Sequence, residues 1–214
     1  LIFKATRENW ERVIGNNLSA AFALLAAATP LMRDQQKSGR DPGRIVNIVS
    51  SAGLFGNFGQ SAYASAKAGL FGLTRVVAMD MARSKVACNA IAPFAATRVT
   101  ESIQPANDAQ ASYKARALRI PARHVARFSA FLASNAHDLT GQLFGVRGRE
   151  LLLFSQPRPV ARAELPADES GNLDGGVFDA ESFDAMARTV NAEFRGKLTD
   201  LSTDLEFFDS EPLI

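Results

Sequence analysis

A chain of 214 residues, 47% of them hydrophobic and 21% charged, can bury one sizeable core, and one domain is the default expectation. Its single cysteine, Cys88, excludes an intramolecular disulfide and a cysteine-cluster metal site, so we expect a reducing, cytoplasmic compartment. The net charge of +2 combines a basic body, with 21 Lys and Arg against 9 Asp and Glu in residues 1–163, and an acidic tail, with 3 against 13 in residues 164–214. A basic body that faces an open cleft favours a phosphate-bearing ligand, and the alternative is solvated surface charge with an acidic appendage. No basic stripe interleaved with aromatic residues indicates nucleic acid.

The first predicted element is a helix that Thr6 caps and that runs toward Met32. Its apolar positions recur at helical spacing: Trp10, Val13, Ile14, Leu18, Phe22 and Leu25. The most apolar stretch, from Leu18 to Met32, falls short of the roughly 20 residues that span a bilayer, and it contains Pro30, where we expect a kink. We therefore predict a buried helix and no membrane partner. We recognise no secretory signal either.

The next elements alternate between strands and helices. Residues 44–50 are nearly continuous in β-branched side chains and predict a buried parallel strand. A glycine-rich loop from Gly53 to Gly59 follows, then a helix from Ala62 to Arg83 and a second buried strand from Val86 to Ala92. Repeated helix-strand units with buried strands indicate an α/β layered sheet.

Beyond the second strand the pattern weakens. Residues 93–119 lack periodicity and predict a loop with short helical pieces, a length that is typical of a functional loop. A helix from Pro121 to Ser134 precedes two strands within 142–155 that turn at residues 147–149. Prolines and acidic residues from Gln156 onward indicate an extension with one helix from about Glu181 to Arg195. The predicted organisation is a domain at 1–155 and a C-terminal extension at 156–214.

A tyrosine and a lysine four residues apart, Tyr63 and Lys67, are predicted to be neighbours on one helix face, about 5 to 6 Å apart at Cβ. The ammonium would stabilise a phenolate, which lets the tyrosine exchange a proton with a carbonyl or alcohol oxygen. Ser50 ends a predicted strand just before, at the edge where open α/β sheets bind ligands. It can donate a hydrogen bond to the same oxygen. The tyrosine-lysine pair alone is also compatible with a surface contact.

Three blocks together resemble the short-chain dehydrogenase/reductase family: GRIVNIVSS at 43–51, GNFGQSAYASAKAGL at 56–70 and NAIAP at 89–93. The resemblance covers about residues 1–147. It implies the C-terminal half of a doubly wound, Rossmann-type parallel sheet, followed by the acidic extension. The variants at 89–94, 97–101 and 141–147 are similar to the (3R)-hydroxyacyl-CoA dehydrogenase unit of type 2 multifunctional enzymes and their bacterial relatives.

The resemblance also implies roles for particular residues. Ser50, thirteen positions before the tyrosine, polarises the substrate carbonyl, and Tyr63 is the acid/base. Lys67 binds the nicotinamide ribose and tunes the tyrosine, while Asn17 supports a proton-relay water, with Asn16 as an adjacent rival and a structural polar residue as the alternative. The cofactor, NAD with NADP not excluded, is expected to contact Tyr63, Lys67, Pro93, Phe94, Ala95 and Thr97.

Two departures from the family pattern affect the cofactor. Phe94 stands where the family usually has a flexible glycine beside the nicotinamide, so the cofactor wall is altered. The family's opening glycine-rich strand-turn-helix, which seats the pyrophosphate at a helix N-terminus, has no counterpart in these residues. Either the sequence is a piece of a longer protein or the protein is a natural remnant. We expect the former, because an unconstrained remnant would not keep Ser50, Tyr63 and Lys67 in register.

Other charged residues give weaker indications. His124 and His137 lack ligand partners at suitable spacing, and we predict no metal. Five basic residues in and after the long loop either bind the phosphates of an acyl-CoA or form solvated surface: Arg98, Lys114, Arg116, Arg119 and Arg123. By resemblance, the first helix and the tyrosine helix form a two-fold interface, so we expect a homodimer or homotetramer.

We therefore predict an NAD(P)-dependent oxidoreductase that interconverts a secondary alcohol and a ketone, on a 3-hydroxyacyl-CoA or a similarly extended small-molecule substrate. The rival prediction is a non-catalytic remnant of the family that acts as an oligomerising or interaction subunit. Binding of the nicotinamide cofactor would distinguish the enzyme from the remnant.

Overall fold

The computed structural model describes residues 1–163, 180–198 and 209–214. The strands are β1 (Arg44–Ile48), β2 (Ala87–Phe94), β3 (Leu143–Arg147) and β4 (Glu150–Leu153). The helices are α1 (Arg7–Ile14), α2 (Ala20–Lys37), α3 (Ala52–Phe55), α4 (Ser61–Asp80), α5 (Arg98–Ser102), α6 (Asp108–Leu118), α7 (Arg123–Leu132) and α8 (Ala180–Glu193). A π-helical turn at Gly15–Ser19 joins α1 to α2.

The four strands form one sheet in the order β1-β2-β3-β4. The first three are parallel, with Ile48 opposite Ile91 and Phe94 opposite Arg147, and β4 returns antiparallel to β3. Because parallel strands end at the same edge, the residues that follow β1, β2 and β3 share one edge of the sheet. The mostly parallel α/β sheet confirms the predicted fold class.

Helices cover both faces of the sheet. On one face, Leu25 of α2 and Val77 of α4 pack with Ile45 of β1, and α4 contributes Leu70 to a second cluster. On the other face, Phe128 of α7 packs edge-on against Phe144, with 5.1 Å between ring centroids. The strands are nearly continuous in apolar side chains because both their faces are buried, as the sequence predicted.

The prediction of a buried first helix is wrong. Thr6 caps it as expected, accepting a hydrogen bond from the Asn9 backbone N–H at 3.2 Å, but Leu25 is its only buried side chain in α1 and α2. The helix packs on α4 along one side, and no other described element covers its opposite side. Its full length, Arg7–Lys37, is long and apolar enough to cross a membrane by length and composition alone, a property that core helices share. The absence of a membrane partner stays a prediction.

The segment after β2 is more ordered than the sequence indicated. Within residues 93–119 it forms α5 and an eleven-residue α6, whose first turn Asn107 caps by accepting from the Gln110 backbone N–H. Few apolar residues mark α6, because it contributes only Tyr113 and Ala117 to a small cluster with Phe94 and Ile120. The hairpin of β3 and β4 lies where the sequence placed it, with Gly148 in a left-handed conformation at its turn.

The contacts divide the chain into two units. The first comprises Leu1–Ser155 and C-terminal residues that include 209–214, and the second lies within Gln156–Leu201. The predicted helix of the extension is α8, in the second unit. Residues 156–214 were predicted to form one extension, whereas residues 209–214 group with the first unit. The acidic, glycine-containing stretch at 164–179 lies outside the described residues.

Candidate active site

Lys67 links the tyrosine helix to the end of β1. Both Tyr63 and Lys67 lie on α4, and the Lys67 Nζ is 5.6 Å from the centroid of the Tyr63 ring. The same Nζ donates a hydrogen bond to the Ile48 carbonyl oxygen at 3.0 Å, two residues before Ser50. Partial burial lowers the pKa of Lys67 below its ordinary value. Less water around the ammonium also means less screening of its field at the tyrosine.

Ser50 lies at the edge of the sheet where the parallel strands end. The Val49 backbone N–H donates to the Ile91 carbonyl at 2.8 Å, so the ladder continues past β1 and its register places Ser50 beside Pro93. The Ser50 Oγ accepts from the Ala52 backbone N–H at 3.2 Å. This hydrogen bond orients the hydroxyl oxygen and leaves its proton available for a ligand.

The turn after Ser50 is held tightly against the tyrosine helix at Gly53. A Cβ at that position would lie 2.7 Å from the Ala68 backbone nitrogen and 2.9 Å from the Lys67 carbonyl carbon. Only glycine allows so close an approach of α3 to α4. The sequence placed Gly53 in a glycine-rich loop without assigning it a contact.

Asn17 lies in the π-helical turn, a feature often found at functional sites. Its side-chain Nδ2 donates to the Val13 carbonyl at 3.0 Å, and the residue is half-buried, whereas Asn16 is exposed. Leu18, in the same turn, packs against Gly69 of α4, where a Cβ would lie 2.9 Å from the leucine methyl. The turn is therefore pressed against the helix that carries Tyr63 and Lys67, which favours Asn17 over its neighbour.

The predicted cofactor-contacting residues follow β2. Pro93 and Ala95 are half-buried, and the exposed Thr97 caps α5, its Oγ1 accepting from the Thr100 backbone N–H at 3.2 Å. The Phe94 side chain is instead buried against Tyr113, with ring centroids 5.0 Å apart. The Phe94 ring therefore does not form an exposed wall of the cofactor site.

The residues that are present fit one end of a nicotinamide dinucleotide. The Tyr63 hydroxyl has no hydrogen-bond partner among the residues that the structure describes, so it is available to a ligand. Lys67 supplies donors suited to ribose hydroxyls. The described residues contain no glycine-rich turn after a strand that opens a helix toward a pyrophosphate, since the loop at Gly53–Gly59 follows Ser50 and leads to α4.

Three of the five basic residues predicted to contact phosphate have partners within the protein. The Lys114 Nζ donates to the carbonyls of Glu101 and Ile103 at 2.7 Å each, satisfying the end of α5. Arg116 and Arg119 form ion pairs with two acidic residues near the C-terminus, described below. The side chains of Arg98 and Arg123 have no hydrogen bond to the described part of the chain.

Two polar residues to which the sequence assigned no role connect the elements around the site. The Asn47 Nδ2 donates to the buried Thr74 Oγ1 at 2.9 Å, which ties β1 to α4. Asn89, fully buried, donates to the Leu139 carbonyl at 2.8 Å and accepts from the Gln142 backbone N–H at 3.1 Å, which ties β2 to the loop before β3. A polar residue within an apolar strand was the signal available for both.

Both ring nitrogens of His137 lie within hydrogen-bonding distance of backbone atoms. The His137 Nδ1 accepts from the Leu139 backbone N–H at 3.0 Å, and its Nε2 lies 3.1 Å from the Leu132 carbonyl oxygen. Within the described ranges, no group of three or more histidine, cysteine or acidic residues is arranged to hold a metal ion.

Residues 2–110 match the short chain dehydrogenase family. Hydroxyacyl-CoA dehydrogenase ChsB1 of Mycobacterium tuberculosis is 36% identical over 210 residues, which are 96% of this chain and 63% of that protein. Peroxisomal multifunctional enzyme type 2 of Drosophila melanogaster is 41% identical over 104 residues, 49% of this chain and 17% of that protein.

A solved structure agrees with these similarities. The crystal structure of a short chain dehydrogenase from Mycobacterium avium superposes with a TM-score of 0.70 at 30% identity, covering 95% of this chain and 62% of that one. The chain thus spans less than two thirds of the length of each of these relatives. Sequence and fold agree over the half of the family domain that carries Ser50, Tyr63 and Lys67, and the chain belongs to the short-chain dehydrogenase/reductase family.

Proposed function

We propose that the protein is an NAD(P)-dependent oxidoreductase that interconverts a secondary alcohol and a ketone. The observation that carries the proposal is the position of the Lys67 ammonium, which contacts both the Tyr63 ring and the carbonyl at the end of the strand leading to Ser50. One cation thus connects the proposed acid/base to the proposed oxygen-polarising hydroxyl. Family membership supports an oxidoreductase in general.

In the direction of alcohol oxidation, Tyr63 accepts the substrate hydroxyl proton on its phenolate oxygen while Ser50 donates a hydrogen bond to the same substrate oxygen. A nicotinamide bound here would supply the hydride acceptor for the carbinol carbon, with Lys67 holding its ribose hydroxyls. The Lys67 ammonium stabilises the phenolate before the transfer. In the reverse direction, Ser50 and Tyr63 stabilise from two sides the charge that develops on the carbonyl oxygen, and Tyr63 returns the proton.

A proton path to solvent needs a further group, and we assign Asn17 to it. Its π-helical turn is pressed against α4 through Leu18 and Gly69. The half-buried side chain uses one amide proton on the Val13 carbonyl, which leaves its oxygen and its second proton for other partners. In this proposal Asn17 positions a water that exchanges protons with Lys67.

The proposed substrate is a 3-hydroxyacyl-CoA or a similarly extended molecule. Support comes from two relatives, one named a hydroxyacyl-CoA dehydrogenase and one a multifunctional enzyme of type 2. The basic residues 98–123 beyond the sheet edge suit a substrate with a distant phosphate. NAD is proposed over NADP on the same similarity, and assembly into a dimer or tetramer on the family resemblance. A cytoplasmic location is proposed from the single cysteine, Cys88.

The test is a pair of serine variants. Ser50→Ala is expected to lower kcat by about 10²- to 10³-fold, because it removes a donor to the developing oxyanion. Ser51→Ala is the matched control: it removes the neighbouring hydroxyl, from a residue that is buried beside the site. Both are compared by nicotinamide absorbance in the protein that includes the family's cofactor-binding part. Equal losses in the two variants would contradict the assignment of Ser50.

A non-catalytic remnant that acts as an oligomerising or interaction subunit is the second candidate, favoured by the exposed apolar side chains of α2. The remnant hypothesis predicts that the coding sequence upstream of Leu1 does not encode a glycine-rich strand-turn-helix. An in-frame segment of that kind in the upstream coding sequence would support the enzyme and overturn the remnant.

A further inference from the structure

The C-terminal segment (residues 209–214) lies at the same sheet edge as the candidate active site. Arg147 ends β3, and its partner across the sheet is Phe94, which ends β2. Ser50 follows β1, on the other side of β2. Neighbouring strands are about 4.8 Å apart, so the Arg147 backbone lies roughly 10 Å from that of Ser50.

The backbone of the C-terminal segment is held by the β3-β4 hairpin. Arg147, whose side chain is only 3% exposed, donates to the Ser210 carbonyl at 3.0 Å and to the Glu211 carbonyl at 3.1 Å. The Arg149 backbone N–H donates to the Leu213 carbonyl at 2.7 Å. The fit against Gly148 is so close that a Cβ there would clash with the Leu213 carbonyl oxygen.

The side chains of the segment make a different kind of contact. Asp209 Oδ1 pairs with the Arg116 guanidinium at 2.9 Å, and Glu211 Oε2 pairs with Arg119 at 2.8 Å. The two carboxylates remain 79% and 69% exposed, whereas the Arg116 side chain is only 15% exposed. A largely buried guanidinium needs an anionic or hydrogen-bonding partner. The segment supplies that partner through carboxylates that can leave without unpacking anything.

We propose that Arg116 and Arg119 bind the phosphates of a CoA-linked substrate, and that Asp209 and Glu211 occupy this site until the substrate displaces them. This inference rests on the proposed function. It adds to that function a phosphate-binding site at the two arginines and two carboxylates that compete for the site. Arginine binds phosphate and carboxylate by the same paired hydrogen bonds. The carboxylates are therefore chemical stand-ins for the phosphate oxygens.

The energetics allow this exchange. The Arg119–Glu211 pair is exposed on both sides and contributes little free energy, because water and salt screen it. The Arg147 and Gly148 contacts hold the segment's backbone independently of either carboxylate. Displacement therefore needs only a rotation of two exposed side chains. In this arrangement the reacting oxygen of the substrate lies at Ser50, and the CoA phosphates lie at Arg116 and Arg119, at the end of α6.

The experiment is calorimetric titration of the 214-residue chain with inorganic pyrophosphate, followed by competition with CoA and with NAD. The double variant Asp209→Asn, Glu211→Gln is expected to bind pyrophosphate about three- to tenfold more tightly than the parent, because the two carboxylates no longer compete for the arginines. Asp41→Asn, Asp80→Asn removes the same net charge at exposed sites elsewhere and should leave the affinity unchanged.

Arginine variants complete the design. Arg116→Gln, Arg119→Gln should abolish pyrophosphate binding, Arg83→Gln should not, and circular dichroism checks that each variant is folded. CoA should displace pyrophosphate, and NAD should not. Retained binding in the arginine variant, an unchanged affinity in the acidic variant, or displacement by NAD as effective as by CoA would overturn the proposal. Pyrophosphate binding requires neither Tyr63 nor turnover, so failure of the proposed function would be seen separately.

Discussion

The Lys67 ammonium serves two groups at once, and this explains why a lysine suits the position. Its hydrogen bond to the Ile48 carbonyl at 3.0 Å fixes the direction of a long side chain, and the remaining protons lie near the Tyr63 ring. A shorter or uncharged residue would lose the strand contact, the electrostatic effect on the phenol, or both. The spacing of four along a helix was visible in the sequence, whereas the strand carbonyl that anchors the lysine was not.

Cys88 illustrates the opposite case, a reactive residue that burial keeps inert. It lies in β2, and Asn47 Nδ2 donates to its sulfur at 3.7 Å. Burial raises the pKa of the Cys88 thiol to about 12, because the thiolate would lose its hydration. The side chain therefore acts as a small apolar group that links the two strands.

Burial of Cys88 predicts a loss of stability at alkaline pH. The folded pKa is raised above the unfolded value, near 9.0, so the thiol's contribution is complete below pH 9 and decreases as the pH rises toward 12. The unfolding free energy should fall by up to about 1.4 kcal/mol per pH unit in that range. Urea unfolding at several pH values measures this slope, and Cys88→Ala should reduce it. Lys67, whose lowered pKa acts with the opposite sign, contributes equally to both proteins. Identical slopes would contradict the burial argument.

At the scale of elements, the site depends on three segments held close together at two glycines. Gly53 brings the backbone of α3 against the backbone of α4, and Gly69 of α4 receives the Leu18 side chain of the π-helical turn. The turn after Ser50 and the turn that carries Asn17 thus both pack on the helix of Tyr63 and Lys67.

Two glycine substitutions test this packing. Gly53→Ala should destabilise the protein by about 1 to 3 kcal/mol and lower activity, because the new methyl group meets the α4 backbone. Gly72→Ala, on α4, is the control. A Cβ at that position has nothing within 4 Å, so the substitution should stabilise the protein by about 0.5 to 1 kcal/mol. Denaturant unfolding gives both values. A tolerated Gly53→Ala with unchanged kcat would show that α3 can move without affecting Ser50.

Elements marked by strong periodicity were predictable, and those fixed by local hydrogen bonds were not. Strands β1 and β2 and helix α4 follow from continuous apolar runs and from glycines that separate them. The π-helical turn escaped prediction, because a shift of the helical hydrogen bonds leaves no residue pattern. Helix α6 has few apolar positions to bury, and its Asn107 cap was its only strong sign. Among the site residues, the spacing of Tyr63, Lys67 and Ser50 was predictable, but the contacts of Gly53 and Ile48 depend on the folded chain.

The whole molecule explains the charge asymmetry of the sequence. Two acidic residues near the C-terminus, Asp209 and Glu211, form ion pairs with Arg116 and Arg119 of the basic body. The charge asymmetry was visible in the sequence, but the place of these pairs was not, because it depends on the close contact of Leu213 with the hairpin turn at Gly148.

The uncovered side of the first helix is the other large-scale feature. Leu24 and Leu31 are 70% and 65% exposed and, being seven residues apart, lie on one face of α2. Exposed apolar side chains in such a row are typical of surfaces that another chain or segment covers. Assembly through this helix, expected from the family resemblance, stays a prediction.

The most direct test of the account is hydride transfer by a Tyr63→Phe variant of the protein that includes the family's cofactor-binding part. Tyr113→Phe is the matched control. Tyr113 is the only other tyrosine in the chain, and its ring packs against Phe94. Single-turnover nicotinamide absorbance measures the rate, and nicotinamide fluorescence measures cofactor binding. The account predicts a rate lower by about 10²- to 10⁴-fold for Tyr63→Phe, with cofactor binding retained and Tyr113→Phe near the parent. A near-parental rate in Tyr63→Phe would contradict it.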